Sequence, residues 1–295
     1  MKKSATTSEY KPTGEVFSFY GGKINIEKKP WGTGFRFIKL ETGKGGILSV
    51  TACTKKLDKS DVLVKWATGL VGNHLKSKIE DSSSSSFGKE ELFLMIDEAL
   101  SKPEEGKVKG GEAGQIIHDY AHDFAKAVIS GSELPTFNHL DSGNDVEGKA
   151  LNGINAFLDW YNSSDKIKFL QMEQVVYYNS NLAGDTEDGE DVIEYVGILD
   201  LLAEINGQIR VIDYKSSKGI YNDQRYQVSG YFKAYNSNAA KGKKAVGTSI
   251  LNFGKETGNL IQGHFPAPEV EKDFRAFVGL QMVATREREL DAERK

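Results

Sequence analysis

Two aspartates and a lysine interrupt an apolar hairpin pattern in this 295-residue sequence. Asp200 and Asp213 sit within the β-branched runs of GILDLLAEINGQIRVIDYKSSK (197–218), and Lys215 follows two places later. Asn206-Gly207 is a strong signal for a two-residue type I′ turn, because both central residues need positive φ. With those two as the loop, Ile205 faces Gln208, and each step outward pairs the next residue on either side. That register sets Asp200 opposite Asp213. Directly opposed residues share a face, with Cβ atoms about 4.5–5.5 Å apart, and like charges so placed repel. Lys215 returns to the same face by the two-residue alternation of a strand. Such a carboxylate pair must share a proton or hold a cation. Oxygen ligands favour a hard ion, Mg²⁺ or Mn²⁺, which keeps several waters and recruits substrate phosphates. The lysine is then placed to orient or deprotonate an attacking water, or to offset charge on a phosphorane-like transition state. The competing reading is an ion-pair cluster on a solvated face; the apolar neighbours Ile198, Leu202 and Val211 argue against it.

Other elements must position these groups. Residues 1–14 read as a flexible tail, and EVFSFYGGKINIEKK, GFRFIKLET and GGILSVTAC (within 15–52) as two or three strands with Gly-rich turns. Helical spacing follows over 58–80, with Ser60 or Asp61 as N-cap. A polar stretch (81–91) reads as a loop, 91–102 as a second helix, PEEGKVKGGEAG as a break, 112–131 as a third helix and 143–164 as a fourth. The period then changes to two. A strand over 167–179 leads to the hairpin, followed by a helix over 223–238 and a second hairpin over 244–265 that turns at Gly254–Gly258. A helix over 266–295 closes the chain. The pattern implies one α/β domain over 15–295, its catalytic sheet (167–265) preceded by a small β region and a helical section (58–164).

Composition narrows the function classes. Hydrophobic residues are 39% and charged residues 27%, ordinary globular values, and the formal net charge is −4. A polyanionic partner therefore needs a local basic groove or bridging metal ions. The lone Cys53 excludes an internal disulfide and any cysteine-built zinc or iron–sulfur site, and fits a reducing compartment. MKKSATTSEYKPTGEV lacks the apolar core of a signal peptide, and no run reaches membrane-spanning length. A cytoplasmic protein is expected. No Gly-x-x-x-x-Gly-Lys-Ser/Thr loop and no Gly-x-Ser-x-Gly elbow is present, which sets aside an ATP-driven motor and a serine hydrolase of that type.

GILD (197–200), DYK (213–215) and QVSGY (227–231) together resemble the PD-(D/E)XK nuclease superfamily. More narrowly they resemble its RecB-type branch, with Gly-x-x-Asp, Asp-x-Lys and Gln-x-x-x-Tyr in that order. GQIIH (114–118) is similar to the branch's Gly-x-x-x-His element, and SVTACTKKLDKSDVLVKWA (49–67) to a stretch of phage and mitochondrial genome maintenance exonucleases. No single motif is specific; five in order are. The resemblance spans roughly 15–265 and implies a restriction-endonuclease-like mixed central sheet flanked by helices. It also implies divalent-metal-dependent hydrolysis of DNA phosphodiesters, with Asp200, Asp213 and His118 as metal ligands, the main-chain carbonyl of Tyr214 completing the shell, and Lys215 on the nucleophilic water. Glu173 in FLQMEQVVYY would be a further ligand or hydrogen-bond partner. Gln227 and Tyr231, four apart on one helix face, would contact the scissile strand, with Lys218 and Arg225 adding positive charge for DNA. Branch members often carry Glu four residues after the His; here that residue is His122. Without the resemblance His118 reads as a hydrogen-bonded histidine inside a helix, and Trp66 as a core residue.

The resulting expectation is a Mg²⁺- or Mn²⁺-dependent DNA exonuclease of phage recombination, repair or processing, acting on single strands or duplex ends beside a recombination or single-strand-binding protein. A structure-selective endonuclease on the same residues, or a nuclease-fold protein that binds DNA without cutting it, are the alternatives.

Overall fold

The computed structural model describes residues 12–32, 34–43, 46–82, 86–163, 166–187 and 191–294. Most of the expected N-terminal tail lies outside them. Its last two residues are tethered, because the Thr13 and Gly14 N–H groups donate to the buried Glu27 Oε1 at 2.6 and 2.5 Å.

Strands β1 (Glu15–Phe19), β2 (Ile24–Trp31) and β3 (Gly34–Lys39) make a three-stranded antiparallel sheet. The third expected strand of this region is replaced by an isolated parallel bridge from Ser49 to Val196 and a short helix α1 (Val50–Thr54). The Ser49 hydroxyl accepts the Ala52 N–H at 3.1 Å, and Val50 and Cys53, one turn apart, are both fully buried. A good cap and two buried apolar residues at helical spacing outweigh the β-branched composition here.

Helix α2 (Ser60–Glu80) matches its expected span. The next two expected helices and the break between them are one helix, α3 (Lys89–Ser130), with Pro103 inside it. Glycine costs a helix interior about 1 kcal/mol and proline about 3, so the continuity comes from tertiary contacts along the Gly-rich part. Gly106 lies close to Leu70 and Trp66 of α2, the Lys255 ammonium donates to the Gly110 carbonyl at 2.7 Å, and Lys109 pairs with Asp145 at 3.0 Å. Trp66 is thus half-exposed on a helical pair and not a core residue, since no α2 side chain is fully buried. Helix α4 (Asp145–Tyr161) follows, capped by Asn144, whose side chain accepts from Val146 and Glu147 N–H.

The main sheet has five strands in sequential order: β4 (Ile167–Asn179), β5 (Glu194–Ile205), β6 (Gln208–Lys215), β7 (Gly247–Phe253) and β8 (Leu260–Pro266). A single turn α5 (Ser180–Ala183) follows β4. Only β6 and β7 are parallel, and α6 (Asn222–Asn238) makes the connection between them. Helix α7 (Ala267–Glu293) ends the described chain. The class is mixed α/β, and no helix among the described residues is long and apolar enough to cross a membrane.

Three apolar clusters hold these layers together. One lies between the main sheet and α1, α6 and α7; one between the sheet and α3 and α4; one between the sheet and β1–β3. Along β5, Val196 and Ile198 join the small-sheet cluster, while Leu201, Ala203 and Ile205 join the α3–α4 cluster. Tyr195, Leu199 and Leu202 join the cluster beneath α1, α6 and α7. Strand alternation therefore slips by one residue around Asp200. Strand β4 slips too: Met172 packs with the α3–α4 cluster and Val175 with the small sheet, and Glu173 between them has φ 44. The pairs Met172↔Leu201 and Gln174↔Leu199 bracket Glu173 and Asp200, which stand across from one another. The two coverings of this sheet face thus part at the residues expected to do chemistry.

Gly197, at the start of GILD, fits this packing only without a side chain. A Cβ there would stand 2.6 and 2.8 Å from two Tyr231 ring carbons and 3.0 Å from Val50 Cγ2. Gly197→Ala should destabilise the fold by about 1–3 kcal/mol through overpacking, read as a lowered midpoint in urea with an unchanged denaturant slope.

Candidate active site

The Asn-Gly hairpin forms as expected, with φ 52 at Asn206 and 80 at Gly207. Its pairs run from Ile205↔Gln208 to Leu201↔Ile212 and stop one short of Asp200 and Asp213. Beyond that point the Asp200 side chain takes over: its Oδ2 accepts the Tyr214 backbone N–H at 2.8 Å. The two acids consequently differ. Asp200 is half-buried and lines a cavity of about 380 Å³, whereas the Asp213 side chain is 1% exposed and, like Lys215, is not among the lining residues. Asp213 pairs with the Lys215 ammonium, yet its buried Oδ2 accepts no hydrogen bond of good geometry.

Electrostatics link the two levels. Burial pushes the Asp213 carboxyl up to about 7; Lys215 opposes the rise and the charge of Asp200 adds to it. For Lys215, burial favours losing the proton, but the charges of Asp213 and Asp200 outweigh it and hold the ammonium above the usual lysine range. Tyr231 of α6 is pushed up to about 12 by burial and by the same two carboxylates. Gln227 donates through Nε2 to the Tyr231 hydroxyl at 2.9 Å, so the two α6 residues act as one unit facing the Asp213–Lys215 pair.

The cavity mouth belongs to α3 and β4. His118, one face of α3, lines it with Glu173, Asp200 and Tyr214, its ring centroid 6.1 Å from that of Tyr214. The wall along α3 is made by Gly110, Gly111 and Gly114. A Cβ at Gly114 would stand 2.7 Å from Ser216 Oγ, so the glycine of GQIIH permits the helix to approach the end of β6. His122, one turn beyond His118, also lines the cavity; its Nε2 is 3.4 Å from Glu173 Oε2 and its Nδ1 3.0 Å from Asp123 Oδ1. Glu173 is exposed and in the left-handed region, a costly conformation for this residue type.

Of the residues expected from the sequence, His118, Glu173, Asp200 and Tyr214 line the cavity, and Asp213 and Lys215 do not. His122 as partner of Glu173, Asp119 and Ser216 at the cavity, and the glycine wall all come from the fold. The four-residue spacing from His118 is the one signal that pointed to His122. Two expected DNA contacts lie elsewhere. Arg225 donates to Asp273 at 3.0 Å, reaches Glu269 and covers the Phe265 ring, committed to α7 and β8 and not to the cavity. Lys218 is exposed on the loop after β6 and is not a lining residue.

The donor set suits a hard divalent cation: two carboxylates, a third on β4, an imidazole, and the Tyr214 carbonyl on the strand end between them. Asp213 Oδ2 already has the Lys215 ammonium beside it, and burial is the main cause of its raised pKa. Among the described residues, no three His, Cys, Asp or Glu side chains converge closely enough to form a complete metal shell. The chemical types fit; a closed shell is not preformed.

No family model matches this chain, and no curated protein matches it. Among solved structures, one titled "Crystal structure of SSO0001" is 16% identical to it, with a TM-score of 0.29. That match covers 48% of this chain and 58% of the other, so the chain spans less than two thirds of that protein's length.

Proposed function

We propose that this protein is a divalent-metal-dependent DNA nuclease of the RecB-like, restriction-endonuclease-like type, acting as an exonuclease in phage DNA recombination, repair or processing. The observation that carries the reading is the convergence of separate elements on one cavity. His118 from α3, Glu173 from β4, Asp200 from β5 and Tyr214 from β6 line it, and Asp200 is electrostatically coupled to the buried Asp213–Lys215 pair. The ordered motif set, resembling the genome maintenance exonucleases, supports DNA as substrate and an exonuclease over an endonuclease.

Asp200, Asp213 and His118 would hold one or two Mg²⁺ or Mn²⁺ ions, with Glu173 and the Tyr214 carbonyl at hand. A bound cation supplies Lewis-acid polarisation of the scissile phosphate and a lowered pKa for the attacking water. The chain's own groups do the rest. Lys215 keeps its proton beside two carboxylates, so it acts as a charge and a hydrogen-bond donor toward the phosphoryl oxygens, not as a base. Gln227 fixes the Tyr231 hydroxyl, which stays protonated and available as a donor at the same place. His122 turns Glu173 into the cavity, the role its position allows in place of the acid found there in similar proteins.

End-labelled linear single- and double-stranded DNA should be degraded with Mn²⁺ or Mg²⁺ and untouched in EDTA, while a closed circle survives. Lys215→Ala and Asp213→Asn should each lower the rate by about 10²–10³-fold, the scale of losing one preorganised charge. Variants that cut like the parent would sink the assignment. A second outcome follows from the Asp213 carboxyl at about 7. Below that pH it is protonated, and a metal ion must displace the proton to bind. Calorimetric affinity for Mn²⁺ without DNA should therefore rise from pH 6 to 8 and level off above, with a shallower rise in Asp213→Asn.

A further inference from the structure

The β2–β3 hairpin carries a chemistry that the cavity does not use. Its tip exposes Trp31 at 65% and Phe35 at 56%, large rings that a globular domain would otherwise bury. Each ring is matched with a cation: the Arg36 guanidinium lies 5.0 Å from the Trp31 centroid and the Lys28 ammonium 4.1 Å from the Phe35 centroid. The register sorts them by face. Pairs Lys28↔Phe37 and Pro30↔Phe35 put Lys28 and Phe35 on one face; Lys29↔Arg36 and Trp31↔Gly34 put Lys29, Arg36 and Trp31 on the other. Both faces of the tip therefore show an aromatic ring beside a positive charge.

The charge balance is local and one-sided. The two strands and their flanks (23–39) hold Lys23, Lys28, Lys29, Arg36 and Lys39 against a single acid, Glu27, on a chain of net charge −4. Glu27 is 0% exposed and spends Oε1 on the N–H groups of Thr13 and Gly14. Lys39 pairs with Glu194; Lys28, Lys29 and Arg36 have no carboxylate partner among the described residues. The core contacts of the small sheet come from Phe19, Ile26 and Phe37, which leaves the tip as the part of the hairpin not used for packing.

We propose that this hairpin tip is a stacking platform for single-stranded DNA. Unpaired bases stack on the open faces of Trp31 and Phe35, and Lys28, Lys29 and Arg36 hold the phosphates that connect them. Exposed rings alone would fit many apolar partners. Rings interleaved with unpaired cations complement a polyanion that also presents π-faces, and duplex DNA, whose bases are already stacked, does not offer those faces. The inference goes beyond the hydrolytic reading and stands without it, since none of these residues lines the cavity.

The test is fluorescence anisotropy in EDTA with a labelled oligo-dT of about 12 nucleotides, within the usual single-strand site size. An abasic strand, a duplex and an oligo-rU of equal length are the comparison ligands. The parent should bind oligo-dT at least tenfold tighter than the abasic strand and the duplex. The Trp31→Ala/Phe35→Ala variant should lose roughly 10- to 100-fold toward oligo-dT, about tenfold per stacked base, and bind abasic strand as the parent does. Trp31→Phe should keep most of the affinity. Lys28→Gln/Arg36→Gln should weaken oligo-dT and abasic strand alike and flatten the salt dependence. No binding by the parent, equal binding to abasic strand, or an aromatic double variant that binds like the parent would overturn the proposal; tighter binding of oligo-rU would overturn DNA as the occupant. Because EDTA stops metal-dependent cleavage and none of the substituted residues lines the cavity, failure here is separable from failure of the nuclease reading.

Discussion

The carboxylates of Asp213 and Asp200 both act on one ammonium, that of Lys215, and Asp213 is almost wholly removed from water. Burying an unpaired charge costs several kcal/mol, and a single lysine cannot balance Asp213 and Asp200 together. The fold responds by keeping Lys215 charged and raising Asp213, so the cluster carries a residual negative charge or a proton in its place. In the ionised state the cluster attracts a cation, whereas in the protonated state a cation must first displace the proton. Replacing a buried ion pair with well-packed apolar residues is often neutral for stability, so the pair is weak evidence of a stabilising role.

The surrounding architecture exists around that point. A regular five-stranded sheet would bury one face under a continuous layer. Here β4 and β5 keep their pairing but lose the alternation of faces at the facing positions Glu173 and Asp200, and the layer divides there into the small sheet on one side and α3 with α4 on the other. The opening is bordered by backbone that can be approached closely, since α3 presents glycine at three of its lining positions. The strained φ of Glu173 belongs to the same division, because a residue at a slip in a strand must leave the extended region for its neighbours to stay in their clusters.

The hairpin was legible because its turn chemistry is local: Asn-Gly fixes two positive φ values, and with them the register of ten residues. What the register could not reveal is where the ladder ends. That depends on the Asp200 side chain competing for the Tyr214 N–H, a contact between groups fourteen residues apart. Helix α3 shows the opposite failure. Pro103, Gly106, Gly110 and Gly111 all argue locally for a break, and three contacts from α2, α4 and the β7–β8 turn override them. Arg225 illustrates a further limit: it was expected to add positive charge for DNA, but two acids on α7, about fifty residues away in sequence, decide where its guanidinium goes.

Net charge is a poor guide to what such a surface attracts. Much of the basic content of the helical section is neutralised where it stands, through Lys78–Glu98, Lys102–Glu105, Lys107–Glu104 and Lys109–Asp145. Exposed pairs of this kind add little stability and leave almost no field beyond a Debye length of about 8–10 Å. The β2–β3 hairpin differs because its one acid is turned inward and occupied by backbone N–H groups, which leaves Lys28, Lys29 and Arg36 without a carboxylate partner among the described residues. A polyanion approaching this acidic chain therefore meets a small positive feature that average composition conceals, and it meets that feature where the rings are. Burying Glu27 under the chain entry and exposing Trp31 at the tip are two ends of one strand, so the same eight residues of β2 anchor the small sheet and present its outward chemistry.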